Sequence, residues 1–108
     1  MPQILEVTQE IIKRSKPRCN QNCPIANTIK KSDDYNTAYV LVERLGTIID
    51  EWHYIHSESI KEIIYAYDHG HEIKPFTIEI WTSDSHNDSF IATPDKPEDI
   101  IENYPQWQ

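Results

Sequence analysis

This 108-residue chain contains no apolar run that approaches the roughly 20 residues a membrane-spanning helix needs. Its N-terminus lacks the basic region and the long apolar core of a signal peptide. Its two cysteines, in a chain without export features, are expected to be free thiols. Together these absences predict a cytoplasmic protein that has no membrane partner.

The chain also lacks an internal repeat, a low-complexity segment and any recognisable catalytic pattern. We therefore expect no enzymatic activity and no cofactor. A chain of 108 residues has room for one domain. Such a domain buries roughly two thirds of its unfolded surface, which is enough for one modest core.

Positive charge is scarce, because ten Lys and Arg stand against 18 Asp and Glu, a formal net charge of −8. Residues 1–31 hold six Lys or Arg and two Glu, a net +4, whereas residues 32–108 hold four Lys or Arg and sixteen acidic residues, a net −12. A solvated surface with a basic first helix explains this pattern without a partner. The alternative is an acidic face that docks on a basic protein or imitates a nucleic-acid backbone.

The clearest periodic pattern lies in residues 59–81. Four apolar residues recur at the spacing of one helical face: Ile60, Ile63, Ile64 and Tyr67. Ser59 and Glu62 predict a capping box at the start of this helix, and Gly70 predicts its end. Three apolar residues then alternate with polar ones, as in a half-buried strand: Phe76, Ile78 and Ile80. Because the connection is short, we expect this strand to pack beside the helix in one core.

The N-terminal third predicts a short strand and two helices. Residues 4–7 favour a strand, and Thr8 is a plausible N-cap for the helix that follows. A single helix from Pro2 is the alternative, since the apolar residues also keep helical spacing. Cys23 and Pro24 then open a second helix.

The middle of the chain predicts a β-meander. Its three strands are residues 39–42, 47–49 and 52–55. Asp50 and Glu51 lack the glycine of a tight hairpin, so we expect a turn wider than two residues. The fold class is therefore a small α+β domain, an antiparallel meander packed against helices in the order β-α-α-β-β-β-α-β. Residues 1–81 form the core domain, and residues 82–108 form an extension with a short helix from Pro97 that docks on the core or on a second subunit.

Two motifs support this interpretation by resemblance. They are Cys23-Pro24-Ile25-Ala26, and Tyr67-Asp68-His69-Gly70 followed by Pro75-Phe76-Thr77-Ile78. In order and spacing they resemble a group of short uncharacterised bacteriophage and bacterial proteins with a Cys-Pro-Ile/Val-Ala helix start and a Phe-Asp-x-Gly-x-x-x-x-Pro-Phe segment. The resemblance covers about residues 3–81. It implies the same fold and a phage or mobile-element origin, and it implies no activity.

Cys19 and Cys23 are the first candidates for chemistry. Their spacing is not the two-residue spacing of zinc knuckles or thioredoxin-like sites. A zinc site needs two more ligands, for which the candidates are His69 and His71, or His53 and His56. A redox pair is a second option, because a thiol at a helix start beside Lys16 and Arg18 can have a lowered pKa. The simplest interpretation is a buried Cys23 and an incidental Cys19.

The histidines offer two weaker candidates. His53 and His56 lie in a predicted strand, where residues three apart point to opposite faces, which argues against joint ligation. Asp68 is placed to orient a histidine of the His69–His71 region for acid–base work. A loop cation site is a further option, with Asp84, His86 and Asp88 as the ligands.

The leading functional hypothesis is a non-catalytic protein-interaction module, expected to be a homodimer, acting as an inhibitor or adaptor through an acidic and aromatic surface. The residues expected to bind the basic partner protein are Trp52, Tyr54, Glu79, Trp81, Asp84 and Trp107. One alternative is a small metal- or thiol-dependent enzyme that uses Cys19 and Cys23 or the His69–His71 region. The other is a nucleic-acid binder through six basic residues of the first two helices: Lys13, Arg14, Lys16, Arg18, Lys30 and Lys31.

Overall fold

A computed structural model describes residues 2–84 and 88–104. Within these residues the elements are β1 (Gln3–Val7), α1 (Gln9–Arg14), α2 (Pro24–Lys31), β2 (Val40–Val42), β3 (Gly46–Ile49), β4 (Trp52–His56), α3 (Glu58–Asp68), β5 (Phe76–Trp81), β6 (Phe90–Ala92) and α4 (Pro97–Ile100). The α+β class is confirmed. The element order follows the predicted one as far as β5 and then gains a strand, β6.

All six strands of the described chain belong to one sheet, in the order β1-β5-β6-β4-β3-β2. The β2-β3-β4 meander is antiparallel, as are the pairs β1-β5 and β5-β6, whereas β4 and β6 run parallel. Helix α2 contacts both edge strands, β1 and β2, so the sheet curls around this helix. Among the described helices, none has the length and apolar character needed to cross a bilayer.

The predicted common core of helix and strand is confirmed, although the two elements are not immediate neighbours. The apolar residues of both elements are buried in one cluster: Ile60, Ile63, Ile64, Phe76, Ile78 and Ile80. Tyr67 packs against this cluster while remaining partly exposed. Helix α3 lies mainly against β4, β6 and α4. The reason is that β6 enters the sheet between β5 and β4, beneath the helix.

Two serine or threonine caps fix where the helices begin. Thr8 accepts a hydrogen bond from the amide of Ile11 at 3.2 Å, which confirms a strand followed by a capped helix. The predicted cap at Ser59 is wrong, because α3 begins two residues earlier and Ser57 accepts from the amide of Ile60 at 3.3 Å. With isoleucine at the third helical position, no carboxylate can reach back, so there is no capping box.

Helix α3 ends at Asp68, and Gly70 is the left-handed residue that follows its C-cap, as predicted. Gly70 has a φ of 88°, and its amide donates to the carbonyl of Tyr67 at 3.1 Å. The amide of His71 donates to the carbonyl of Ala66 at 3.0 Å. These two bonds are the Schellman pattern, which requires a left-handed residue and therefore favours glycine.

The turn between β3 and β4 is tighter than expected. Ile49 pairs directly with Trp52, so the turn contains two residues. Asp50 takes the left-handed conformation, with a φ of 55°, in place of the usual glycine. Its carboxylate accepts a hydrogen bond from the amide of Tyr39, the residue before β2, at 3.0 Å, and this bond stabilises the turn.

Part of the predicted extension lies inside the sheet. Strand β6 is only three residues long, yet Ile91 is fully buried and its carbonyl accepts from the amide of Ser57 at 2.9 Å. Ile100 and Ile101 join the same core. Residues 90–101 therefore complete the sheet and its hydrophobic cluster, rather than docking on a finished domain.

Candidate functional site

The sheet has one covered face and one open face. In each strand, alternate side chains are buried beneath the helices, and the residues between them point the other way. Four large apolar side chains on this open face are strongly exposed: Ile4 at 58%, Ile55 at 58%, Phe90 at 40% and Trp81 at 38%. Contiguous exposed apolar groups of this kind mark interaction surfaces.

Three of these side chains form a row across the central strands. Trp81 of β5 pairs with Phe90 of β6, and Phe90 pairs with Ile55 of β4. The rings of Trp81 and Phe90 stack with centroids 5.6 Å apart and planes 11° from parallel. We call Trp81, Phe90 and Ile55 the apolar row.

Beyond Ile55 the row continues into a hollow. Gly46 pairs with Ile55 and contributes no side chain, and the hollow beside it has a volume of about 270 Å³. Leu41, Ile48 and His53 are among the residues that line it. At its far side the amide of Glu43 donates to the carbonyl of Gly46 at 2.9 Å, which places Glu43 at the end of the same row.

The charge of the open face has one sign. None of the six strands contains a Lys or an Arg, whereas Glu6 and Glu79 lie on the open face of β1 and β5. Glu6 accepts a hydrogen bond from the hydroxyl of Thr77 at 3.0 Å, so its carboxylate lies over the sheet. The surface is therefore apolar across its middle and negative at its margin.

The residues predicted to bind a partner divide between the two faces. Trp81 and Glu79 lie on the open face, and Asp84 is exposed in the loop after β5. Tyr54 is 4% exposed on the covered face, where its hydroxyl is 2.9 Å from that of Thr82, so its assignment to a partner surface is wrong.

Trp52 and Trp107 complete that set. Trp52 is half-buried and packs against the core, so it offers a partner less surface than expected. Trp107 lies outside the described residues. Sequence reasoning missed Ile4, Ile55 and Phe90 as surface residues, although the alternation within β4 places Ile55 opposite Tyr54 and His56.

A second, polar groove lies beside α3, with a volume of about 670 Å³. The guanidinium of Arg44 lies 4.3 Å from the ring centroid of Tyr65, and His69 Nδ1 donates to the carbonyl of Tyr65 at 2.8 Å. The carboxylate of Asp68 accepts from the amide of Arg18 at 2.9 Å, and its role in orienting a histidine stays a prediction. Among the described residues that line this groove, none is a serine, threonine or cysteine, so the groove supplies no such nucleophile.

The environment of Cys23 opposes thiol chemistry. Cys23 is buried as the N-cap of α2, and its Sγ accepts from the amide of Ala26 at 3.4 Å. Burial raises the pKa of this thiol to about 11, although the helix-start amides act in the opposite direction. The predicted lowering of the thiol pKa is therefore wrong. Cys19 and Cys23 are both free thiols, and Cys19 is half-buried.

Thiol alkylation is expected to separate the two cysteines. Under native conditions at mildly alkaline pH, iodoacetamide should modify Cys19 at least about tenfold faster than Cys23, whose thiolate fraction is suppressed by burial. In denaturant the two rates should converge. Mass spectrometry of the modified peptides measures both rates, and equal native rates would contradict the buried-thiol description.

His53 and His56 point to opposite faces of β4, as predicted: His53 is exposed and His56 is 2% exposed. The His56 ring lies 2.9 Å from the carbonyl of Arg44 through Nδ1, and 2.6 Å from the hydroxyl of Thr47 through Nε2. Because a carbonyl only accepts, Nδ1 carries the proton and Nε2 accepts from Thr47. Burial lowers the pKa of His56 to about 4, so the ring is neutral and structural.

The remaining candidates are the residues predicted to bind a metal ion and those predicted to bind nucleic acid. Within residues 2–84 and 88–104, no group of three His, Cys, Asp or Glu side chains converges on one point. Of the proposed loop ligands, His86 lies outside the described residues. Five basic residues of the nucleic-acid alternative are exposed: Lys13, Arg14, Lys16, Arg18 and Lys31. The sixth, Lys30, donates to the carbonyl of Gln21.

Comparison with known proteins adds no functional information, so the functional interpretation depends on the geometry alone. The resemblance of the two motifs to short phage and bacterial proteins stays a prediction. Searches against protein-family models, curated proteins and solved structures find no match to this chain.

Proposed function

We propose that this protein is a non-catalytic interaction module that binds a basic partner protein through the open face of its sheet. The observation that carries the proposal is the apolar row, three large apolar side chains aligned across three central strands and exposed. The core of the fold does not use them. A partner is the straightforward reason to keep them at the surface.

The composition of the row fits a binding centre. Tryptophan is over-represented among residues that dominate binding energy, because it combines large contact area with few rotatable bonds. Trp81 and Phe90 already stack on each other, so little side-chain freedom remains to be lost on binding. Ile55 extends the same surface by one strand.

The acidic residues at the edge of the open face favour a positively charged partner. Glu6 and Glu79 lie beside the apolar residues, and the strands bring no cation to this face. A basic partner is therefore attracted during encounter, and the attraction weakens as salt rises. Two copies of this chain that met face to face would bring carboxylates together, which makes another protein the better occupant.

A double substitution in the row tests the proposal. Trp81→Ser with Phe90→Ser is expected to weaken binding of a partner captured from a host lysate by at least about thirtyfold, since two central aromatic contacts are lost. Titration of that purified partner by isothermal calorimetry measures the change. Unaltered far-ultraviolet circular dichroism checks that the variant folds.

Leu45→Ser is the matched control, because Leu45 is 67% exposed in the β2–β3 turn and lies outside the row. It is expected to bind like the wild type, and raised salt should weaken both alike. Capture of no partner at any salt concentration would contradict the proposed function. Equal binding by the Trp81/Phe90 variant would contradict the assigned surface.

A further inference from the structure

We infer that the hollow beside Gly46 and the carboxylate of Glu43 form a specificity subsite, which reads a basic residue at a fixed distance from an apolar one in a linear segment of the partner. This inference rests on the proposed function and names the chemistry of the segment bound. It follows from a row of paired residues, one from each neighbouring strand, that crosses the sheet from Trp81 to Glu43.

Strand pairing fixes the composition of that line. Trp81, Phe90 and Ile55 are followed by Gly46 and then by Glu43, whose amide bonds to the carbonyl of Gly46. Neighbouring strands lie about 4.8 Å apart, so the line is about 19 Å long. It is apolar over its first three members, empty at the fourth and anionic at the fifth.

The absence of a side chain at Gly46 determines which partner side chains this row can accept. The hollow beside Gly46 has a volume of about 270 Å³, with Leu41 and Ile48 among its walls, and it can receive an aliphatic side chain or the methylene stem of a lysine. Glu43 is exposed at its far side, and no ion pair within the described residues neutralises it. A long basic side chain can lie along the hollow and place its charge at Glu43.

The spacing of the recognised residues follows from the same geometry. Ile55 and the position of Glu43 are two strand spacings apart, about 10 Å. A segment in the polyproline II conformation advances about 3.1 Å per residue with three residues per turn, so residues three apart lie on the same side, about 9 Å from each other. An apolar residue on Ile55 and a basic residue at Glu43 are therefore three positions apart in such a segment. The expected motif is an apolar residue, two unrestricted residues, and then Lys or Arg.

Selection from a random peptide library displayed on phage tests this inference. Peptides enriched on the wild-type protein, after counter-selection on the Trp81→Ser/Phe90→Ser variant, are expected to share the apolar-x-x-Lys/Arg pattern. Glu43→Lys should weaken a selected peptide by between about 1.4-fold and fivefold, the range of an exposed ion pair. Replacing the peptide's basic residue by Glu should restore its binding to that variant.

Glu51→Lys is the matched control, because Glu51 is exposed at the opposite end of β3 and its substitution makes the same change in net charge. It should leave the affinity unchanged. Selected peptides that need Trp81 and Phe90 but share no basic position, or that bind the Glu43→Lys variant equally well, overturn the subsite and leave the proposed function standing. Failure to enrich any peptide dependent on the apolar row counts against both.

Discussion

Acidification from about pH 6.5 to about pH 4 is expected to remove about 3 kcal/mol of folding stability through His56 alone. The ring is buried and neutral in the folded chain, and it holds two hydrogen bonds that depend on this tautomer. In the unfolded chain the same ring protonates near its ordinary pKa of 6.5. Protons therefore bind the unfolded state more readily as the pH falls.

The sign follows from the lowered pKa. A group whose pKa falls on folding contributes its stability in full above its unfolded pKa, and this stability is lost as the pH drops towards the folded value. For His56 the window runs from about 6.5 down to about 4, as set by burial. A loss of about 3 kcal/mol is a large share of the 5–15 kcal/mol typical of a domain.

Urea denaturation at a series of pH values measures this loss, with His56→Gln as the test and His53→Gln as the control. The His56→Gln chain is less stable at neutral pH, because the glutamine cannot reproduce both ring contacts, but its stability should fall less across the window. His53→Gln removes an exposed histidine from the same strand and should follow the wild-type curve. Parallel curves for His56→Gln and wild type would contradict the neutral buried ring.

Gly46→Ala is expected to cost about 3 kcal/mol or more, and it is the most damaging single methyl addition we anticipate. A Cβ at Gly46 would lie 2.5 Å from the carbonyl oxygen of Tyr54. Because this oxygen belongs to the backbone of the paired strand β4, a rotamer change cannot relieve the clash. The β3–β4 ladder must shift instead.

Gly70→Ala provides the comparison. A Cβ at Gly70 meets no atom within 4 Å, so only the left-handed φ of 88° opposes the substitution. The expected loss is about 1 kcal/mol. Thermal unfolding of both variants by calorimetry ranks the two effects, and a Gly46→Ala chain as stable as Gly70→Ala would show that the sheet accommodates the added methyl.

Much of the fold could be predicted from local patterns. Residues 59–81 carry complete helix and strand periods, and Gly70 lies where the helix must reverse, so the element types and the shared core followed directly. The start of α3 was misplaced by two residues, because Ser57 and Ser59 are both acceptable caps. Only the hydrogen bond from the amide of Ile60 to the hydroxyl of Ser57 shows which serine is the cap.

The open face could not be predicted because β4 is ambiguous by composition. Trp52, Tyr54 and His56 are bulky and partly polar, so the sequence favours their exposure as strongly as their burial. Burial is possible because Thr82 and Thr47 receive the polar tips of Tyr54 and His56 from elsewhere in the chain. These partners are tertiary contacts, which the local sequence of β4 does not reveal.

Strand β6 could not be predicted for a related reason. It has three residues and one buried side chain, which is too short to show the alternation of a strand. Its position nonetheless determines when the sheet can close. In the described sheet, β6 alone joins the β1-β5 pair to the β2-β3-β4 meander. During synthesis the residues before β6 can therefore form two separate patches of sheet, and these patches join only after β6 has left the ribosome.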